Sequence, residues 1–212
     1  MAFSRKFAES NRKLRCKVPG CTRLRCEISA FCTVHRHKAA YHGDPLAEPV
    51  SVKDFAPYLS DATEIINRNL DHPGVIQAIE LFSIWMRLAS QGVPCPAQPF
   101  FERLAALGVP PIQLVRVAGA AYWFAHDNPR RILTVRHRAF FVANQLFRTE
   151  HPGGSRKGYG YPRQATSKDR AAAGNYVHEH LKTLMANIVC ACQNKEKEAA
   201  KRIQEQYAPL RG

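Results

Sequence analysis

Four cysteines and two histidines lie close together near the start of the chain, and their spacing suits a metal ion. Cys16 and Cys21 flank the turn-forming segment 18–20, and Cys32 is followed by His35 in a Cys-x-x-His pair. Zinc prefers four thiolate or imidazole ligands in a tetrahedron. A tight turn brings the first pair to one side of a metal, and a Cys-x-x-His pair on a helical turn supplies the other. The spacing therefore predicts a zinc site formed by Cys16, Cys21, Cys32 and His35.

Two further residues in this stretch leave the choice of ligands open. Cys26 is an additional thiol within the spacer, and His37 is a second imidazole after Cys32. A catalytic zinc is disfavoured because such sites keep an open position and need a nearby general base, and only Glu27 is close in sequence. We therefore predict a structural Zn²⁺ ion whose removal unfolds the segment around it.

The same stretch resembles a small zinc-binding module that is common in phage and mobile-element proteins, where it is often attached to HNH-type homing endonucleases. The family pattern is Cys-x-x-x-x-Cys-x-Arg, a spacer, Cys-x-x-His, a basic helix and Gly-Asp-Pro. Beyond the four candidate ligands, this chain matches it at Arg23, at the basic segment 36–38 and at the segment 43–45, which His42 precedes. The resemblance covers residues 16–45 and implies a zinc-binding accessory protein of a phage or mobile genetic element.

The resemblance also makes a divergent HNH-like metal-dependent endonuclease the main enzymatic alternative. Such a site needs a histidine base on a strand, an asparagine that orients it and a further histidine that holds the metal. The closest matches are His72 in Asp-His-Pro, Asn128 in Asp-Asn-Pro, and His137, and none of them lies in a strand-like pattern. Other catalytic motifs are not found. We therefore favour a protein without catalytic activity.

Positive charge is concentrated in two blocks of the chain. The 212 residues contain 31 Lys and Arg against 17 Asp and Glu, a formal net charge of +14. Residues 1–42 hold ten cations and two acids, and residues 129–170 hold the same numbers, whereas residues 43–128 hold five cations and nine acids. A strongly basic balance favours a polyanionic partner, and this segregation argues against a role in solubility alone. We predict that the partner is DNA or RNA.

The candidate nucleic-acid-binding residues are cations of the two blocks and two tyrosines of the second block. Phosphates attract Arg and Lys, and unpaired bases stack on aromatic rings. The loop 151–168 alternates glycines with cations and tyrosines, so that it either follows an irregular polyanion or is an ordinary linker. In the preceding segment, the alternative is that Arg residues pair with acids of residues 43–128. The candidates are Arg12, Lys13, Arg15, Lys17, Arg23, Arg25, Arg36, Lys38, Arg130, Arg131, Arg138, Arg156, Lys157, Tyr159, Tyr161, Arg163 and Lys168.

The rest of the chain predicts helices separated by Pro and Gly, and strand patterns are nearly absent. The fold class is therefore mainly α, with a small N-terminal zinc-binding module followed by a bundle of about five to six helices. We expect a helix capped by Ser60 or Asp61, a basic helix over 130–148 and a long final helix over about 167–207. The segment 107–111 is shaped like a helix-turn-helix connection.

These elements define four segments and a set of partners. The segments are a basic zinc-binding module (1–45), a helical body (46–150), a basic Gly/Tyr-rich loop (151–168) and a long C-terminal helix (169–212) that packs on the body or on a partner. Without a long apolar run, no membrane is expected. The remaining cysteines are read as buried thiols of a reducing, cytoplasmic compartment. A further alternative is a protein-interaction subunit of a larger nucleoprotein or phage assembly, with oligomerisation through the last helix.

Overall fold

The computed structural model describes residues 2–95, 97–149 and 166–207, and these residues are mainly helical. Within them, extended structure is limited to one isolated antiparallel bridge between Arg15 and Leu24. The prediction of a mainly α protein is therefore confirmed. The helices are α1 Ala2–Asn11, α2 Thr33–His42, α3 Val52–Arg68, α4 Pro73–Ser90, α5 Gln98–Ala106, α6 Pro111–Asp127, α7 Val135–Arg148 and α8 Ser167–Tyr207.

Helix α3 begins earlier than predicted, because a capping box lies upstream of Ser60 and Asp61. The Ser51 side chain accepts a hydrogen bond from the backbone N–H of Asp54, and the Asp54 side chain accepts one from the N–H of Ser51. This reciprocal pair satisfies amides that the first helical turn leaves without partners. The helix then tolerates Pro57 near its start.

Helix α7 begins later than predicted, at Val135 rather than Arg130. The backbone N–H groups of Arg131 and Ile132 donate to the carbonyl of Asn128, which makes this segment a turn that follows α6. The Thr134 side chain then accepts from the N–H of His137 and caps the new helix. The prediction failed because cationic residues are compatible with both a turn and a helix, and the capping threonine was overlooked.

Helix α6 lies at the centre of the bundle that α3 to α8 form. It packs against α3, α4, α7 and α8, and eleven of its seventeen residues are buried. Gly108, with φ +64°, lies near the start of the short connection from α5 to α6. Because α6 is enclosed by other helices, it cannot enter a DNA groove as a recognition helix. The helix-turn-helix interpretation of segment 107–111 is therefore wrong.

Helix α8 has the predicted bounds and packs along the body. Gly174 lies so close to α7 that a Cβ atom there would overlap the carbonyl oxygen of Ala139. Farther along, the Lys195 ammonium contacts the carboxylates of Asp61 and Glu64 on α3. The prediction of a buried thiol is wrong for Cys190, which is exposed because α8 directs that position toward solvent. Cys95 is half-buried, and the side chain of Cys192 lies outside the described part of the chain.

Candidate metal centre and nucleic-acid interface

The side chains of Cys16, Cys21, Cys32 and His35 converge, as predicted, and could hold a metal ion. Their ligand atoms all lie within 4.8 Å of one another. The Nδ1 atom of His35 is 3.3 Å from the Cys16 Sγ and 3.5 Å from the Cys32 Sγ, and the Cys21 and Cys32 Sγ atoms are 4.0 Å apart. Around a tetrahedral zinc, neighbouring ligand atoms lie about 3.6–3.8 Å apart. The distances therefore fit a small tetrahedral metal ion.

Two local structures position the ligands. A short antiparallel pair, in which the N–H of Cys16 donates to the Arg23 carbonyl at 2.9 Å, brackets a turn closed by a bond from the Cys21 N–H to the Val18 carbonyl. This turn holds Cys16 and Cys21 on one side of the cluster. On the other side, Cys32 is the N-cap of α2, which places His35 in its first turn beside it.

Backbone amides near the sulfur atoms influence which thiols lose a proton. Burial raises the pKa values of Cys16 and Cys32, but hydrogen bonds from backbone N–H groups and from the neighbouring side chains of the cluster together outweigh it, so that both pKa values lie below the ordinary thiol value. For Cys21, the N–H of Arg23 lowers the pKa, but burial and the two neighbouring sulfurs outweigh that bond and raise it. Two of the three thiols are thus favoured as the thiolates that metals bind.

The structure places Cys26 and His37 outside the cluster, which resolves the alternatives left by the sequence. The Cys26 thiol donates to the backbone carbonyl of Phe31 at 3.2 Å and so closes the loop that leads to α2. The His37 side chain is exposed, and its ring lies edge-on to that of Tyr41 with centroids 6.0 Å apart. Neither residue directs a ligand atom at the four converging side chains.

Asn11 is a structural residue of the module that the sequence analysis missed. It ends α1 and is buried, and its Nδ2 donates to the carbonyls of Glu27 at 2.6 Å and Ser29 at 2.7 Å. Its Oδ1 accepts from the guanidinium of Arg25 at 3.2 Å. Asn11 therefore joins the helix before the cluster to the loop between its second and third candidate ligands. A single asparagine carries no sequence signal for this role, because its partners are backbone carbonyls.

Most of the predicted module cations are exposed on the surface around the cluster. Among the residues that the structure describes, none of their side chains forms an ion pair. Charges without an acidic partner remain available to an external anion. These exposed residues are Arg12, Lys13, Arg15, Lys17 and Arg23. Lys38 is half-buried on α2, and Arg130 and Lys168 are exposed farther along the chain.

Two of the predicted module cations have partners within the molecule. Arg25 donates from Nε to the Arg15 carbonyl at 2.9 Å, in addition to its bond with Asn11. Arg36 pairs with Glu27 at 2.7 Å. These contacts give both side chains a structural role inside the module.

Arg131 pairs with an acid of the middle block, the alternative that the sequence analysis left open. Its guanidinium lies 3.1 Å from the Asp54 carboxylate and over the Phe124 ring. Arg138, half-buried on α7, lies near Tyr122 and opposes the rise in the pKa of that phenol, which burial produces. Five predicted residues lie outside the described part of the chain, namely Arg156, Lys157, Tyr159, Tyr161 and Arg163.

The Gly-Asp-Pro segment docks the module on the body. Gly43 has φ +78°, a conformation that favours glycine. A Cβ atom there would lie 2.6 Å from the Phe140 ring and 2.9 Å from the Arg136 carbonyl. One helical turn farther along α7, the Asn144 side chain donates to the Tyr41 carbonyl at 2.9 Å. The end of α2 therefore lies directly on α7, and the two basic blocks of the sequence meet at this contact.

The residues of the nuclease alternative occupy helix ends rather than a common site. His72 caps α4 by accepting from the N–H of Gly74, and Asn128 donates to the Phe124 carbonyl at the end of α6. His137 is buried in the first turn of α7. Across residues 2–95, 97–149 and 166–207, the Cys/His cluster is the one group of three or more side chains found that could hold a metal. The described structure gives HNH chemistry no support.

Two further observations bear on the class of protein. Within the described ranges, no helix combines the length and the apolar character needed to cross a bilayer. Comparison of the chain with protein-family models, with curated proteins and with solved structures found no match.

Proposed function

We propose that this chain is a nucleic-acid-binding protein in which a structural zinc ion folds the basic N-terminal module. The observation that carries the proposal is the convergence of three thiols and one imidazole beneath a surface of unpaired cations. A Cys₃His set is a common structural zinc site, because soft thiolates and imidazole suit Zn²⁺ and complete its tetrahedron without an open position.

The need for a metal follows from how little apolar surface the module buries. Its core consists of Cys16, Val18 and Cys32, with Cys21 and Phe31 packed against it. A core of this size supplies too little hydrophobic free energy to order the loops around it. A bound zinc supplies the remaining free energy, so that folding and metal binding occur together.

The proposed partner follows from charge and exposure. Neutralising phosphates with Lys and Arg releases condensed counterions, which gives nucleic-acid binding a steep dependence on salt. The exposed module cations lie on a short hairpin and its flanks. Lys38 lies on α2, the helix whose end contacts α7. These positions suit contacts to a phosphate backbone. They contain no evident device for reading base sequence, so we expect weak sequence preference.

Salt-dependent binding tests this proposal. Arg15, Lys17 and Arg23 are changed together to Gln, and binding to fluorescently labelled DNA and RNA is measured by anisotropy over a range of salt. We expect affinity to fall for both polymers and the slope of log K against log salt to decrease by roughly 0.9 per lost contact to duplex DNA.

The control is a triple variant with the same change in net charge. Lys53, Arg68 and Arg87 lie in the acidic middle block and are exposed, and they are likewise changed to Gln. We expect this variant to bind like the wild type. Equal losses in the two variants would mean that only net charge matters, and a wild-type protein that binds neither polymer would disprove the proposal.

A second candidate function is a subunit of a larger nucleoprotein assembly. It is favoured by apolar side chains that the module leaves exposed, because such groups often mark protein contacts. Leu24, Ile28 and Val34 are 56%, 68% and 44% exposed. This alternative predicts a complex with another protein that persists after nuclease treatment.

A further inference from the structure

An exposed tyrosine lies where the module meets the body. The backbone carbonyl of Tyr41 is held by the Asn144 side chain of α7, yet its own side chain is 53% exposed. Exposure of an aromatic ring beside a well-packed helix contact costs hydrophobic free energy that burial would recover. Because the Asn144 contact fixes the backbone of Tyr41, the exposed ring lies at a defined position on the surface, next to the edge-on ring of His37.

A guanidinium supports this ring from α8. The Cζ atom of Arg170 lies 5.8 Å from the Tyr41 ring centroid and 5.4 Å from that of Phe147. The Arg170 Nη1 donates to the Asn144 Oδ1 at 3.1 Å. Asn144 thus holds both the tyrosine backbone and the arginine. Tyr41, Asn144 and Arg170, from α2, α7 and α8, thus form a platform in which the tyrosine ring packs against the guanidinium.

Positive charge surrounds the platform. Burial lowers the pKa of His42, and the positive charges of Arg170, Lys38 and Arg148 lower it further. These cations come from α8, α2 and α7, so that residues from both basic blocks of the sequence contribute to one field. An anion at this surface would meet charges from all three helices.

Among the residues that the structure describes, Asp44 and Asp169 lie near this surface in sequence, and both are directed toward backbone amides. Asp44 is buried, and its carboxylate accepts from the N–H of Leu46 at 2.8 Å. Asp169 accepts from the N–H of Thr166 at 2.8 Å, at the start of α8. Both carboxylates therefore cap local structure, while the tyrosine ring faces outward among cations.

An exposed ring among cations suits unpaired nucleotides. Stacking on an aromatic side chain needs a free base face, which single strands offer and duplexes hide, while the neighbouring phosphates need cations. We propose that the surface formed by Lys38, Tyr41, His42, Arg148 and Arg170 binds single-stranded nucleic acid, with a base stacked on Tyr41. This inference rests on the proposed nucleic-acid-binding function and deepens it. The chemistry is shared by single-stranded DNA and RNA.

Replacing Tyr41 tests the stacking contact. Labelled oligothymidylate, oligouridylate and a duplex of the same length are titrated by fluorescence anisotropy at one salt concentration, with zinc-loaded full-length protein. We expect Tyr41→Leu to weaken binding of the preferred single strand roughly five- to hundredfold and to leave duplex binding unchanged, whereas Tyr41→Phe binds like the wild type. The two single-stranded probes show whether DNA or RNA is preferred. Ile84→Leu, an exposed site on α4, is the matched control.

A second variant reports the contact without removing the ring. The two native tryptophans, Trp85 and Trp123, are buried in the body. In Tyr41→Trp, we expect an added exposed fluorescence component that a single strand quenches and a duplex does not. A wild-type protein that binds none of the three probes would refute the proposed function itself. Two outcomes would overturn this inference alone, provided that the wild type binds the probes. In the first, Tyr41→Leu binds them as tightly as the wild type. In the second, it loses affinity for the single strand and the duplex to the same extent.

Discussion

The N-terminal module and the helical body are stabilised by different kinds of interaction. The body buries large apolar side chains completely, among them Phe82, Trp123 and Ile66. The hydrophobic core of the module consists of three small or medium side chains, two of which are candidate metal ligands. Hydrophobic burial is roughly proportional to area, so the body can fold on its own core, whereas the module depends on the proposed metal.

The distribution of tryptophan allows the two regions to be observed separately. Trp85 and Trp123, the two tryptophans of the chain, both belong to the body core. Tryptophan fluorescence therefore reports on the body, and the content of the proposed zinc ion reports on the module. The following changes separate these two signals, from the largest expected effect to the smallest.

Removal of zinc has the largest expected effect. A strong chelator, or Cys32→Ser, should unfold the module, because structural zinc contributes about 10–16 kcal/mol to folding in small metal-dependent domains. Hydrogen exchange in residues 12–36 should become fast, while tryptophan fluorescence is retained. Cys26→Ser is the control and should keep its zinc, because its thiol bonds to the Phe31 carbonyl instead. Full zinc content in Cys32→Ser would contradict the assigned ligands.

A cavity in the body core should destabilise the body and leave metal binding by the module unchanged, the reverse of the effect of zinc removal. Phe82 is fully buried and lies edge-on to Trp85, with ring centroids 5.2 Å apart. Phe82→Ala should lower the free energy of unfolding by about 3–5 kcal/mol, measured by urea titration of tryptophan fluorescence. Zinc content should be unchanged. Ile84→Ala, at an exposed position of the same helix, should have little effect. Loss of zinc in Phe82→Ala would show that the two regions fold as one unit.

Removal of a buried amide should weaken the module by a smaller amount. Asn11→Ala leaves the carbonyls of Glu27 and Ser29 without their donor, which costs about 1–3 kcal/mol. Because folding and zinc binding are coupled, the apparent zinc affinity should fall by about tenfold or more in a competition with a chelator. Ser10→Ala, at the exposed neighbouring position, is the control. Unchanged affinity in Asn11→Ala would refute the role of this contact.

Acid should weaken the body through its buried histidine. Burial lowers the pKa of His137 and positive His42 lowers it further, against the opposing charge of Asp44. The unfolded chain therefore binds a proton more readily, and this contribution to stability is complete above the unfolded pKa of about 6.5 and is lost as pH falls through the folded pKa.

The variant His137→Asn should reduce the slope of unfolding free energy against pH between about pH 7 and pH 5. Some slope should persist, since burial also lowers the pKa values of His42 and His178. Ile84→Leu, at an exposed and non-titrating position, should keep the wild-type slope. A wild-type slope in His137→Asn would exclude His137 as its source.

Local patterns of the sequence predicted the features that depend on residues within about one turn of each other, such as turns, ligand pairs and helix ends. The turn between Cys16 and Cys21 and the pair Cys32 and His35 are local, so their convergence followed from spacing and turn geometry. The bounds of α8 and the start of α4 at Pro73 were also predictable, because a capping or proline signal acts within one turn. The start of α3 was predicted wrongly because two capping signals competed, and only the Ser51–Asp54 pair is used.

Contacts between distant segments were decided by the tertiary structure. The role of Asn11 depends on carbonyls of a loop that lies 16 and 18 residues later in the chain. The platform at Tyr41 depends on Asn144 and Arg170 from two later helices. Composition predicted a basic protein, and local patterns and spacing predicted a mainly helical fold with a cysteine cluster typical of metal sites. Which cations face solvent and which pair internally, as Arg131 does with Asp54, depended on packing, because charge acts through distance in space rather than along the chain.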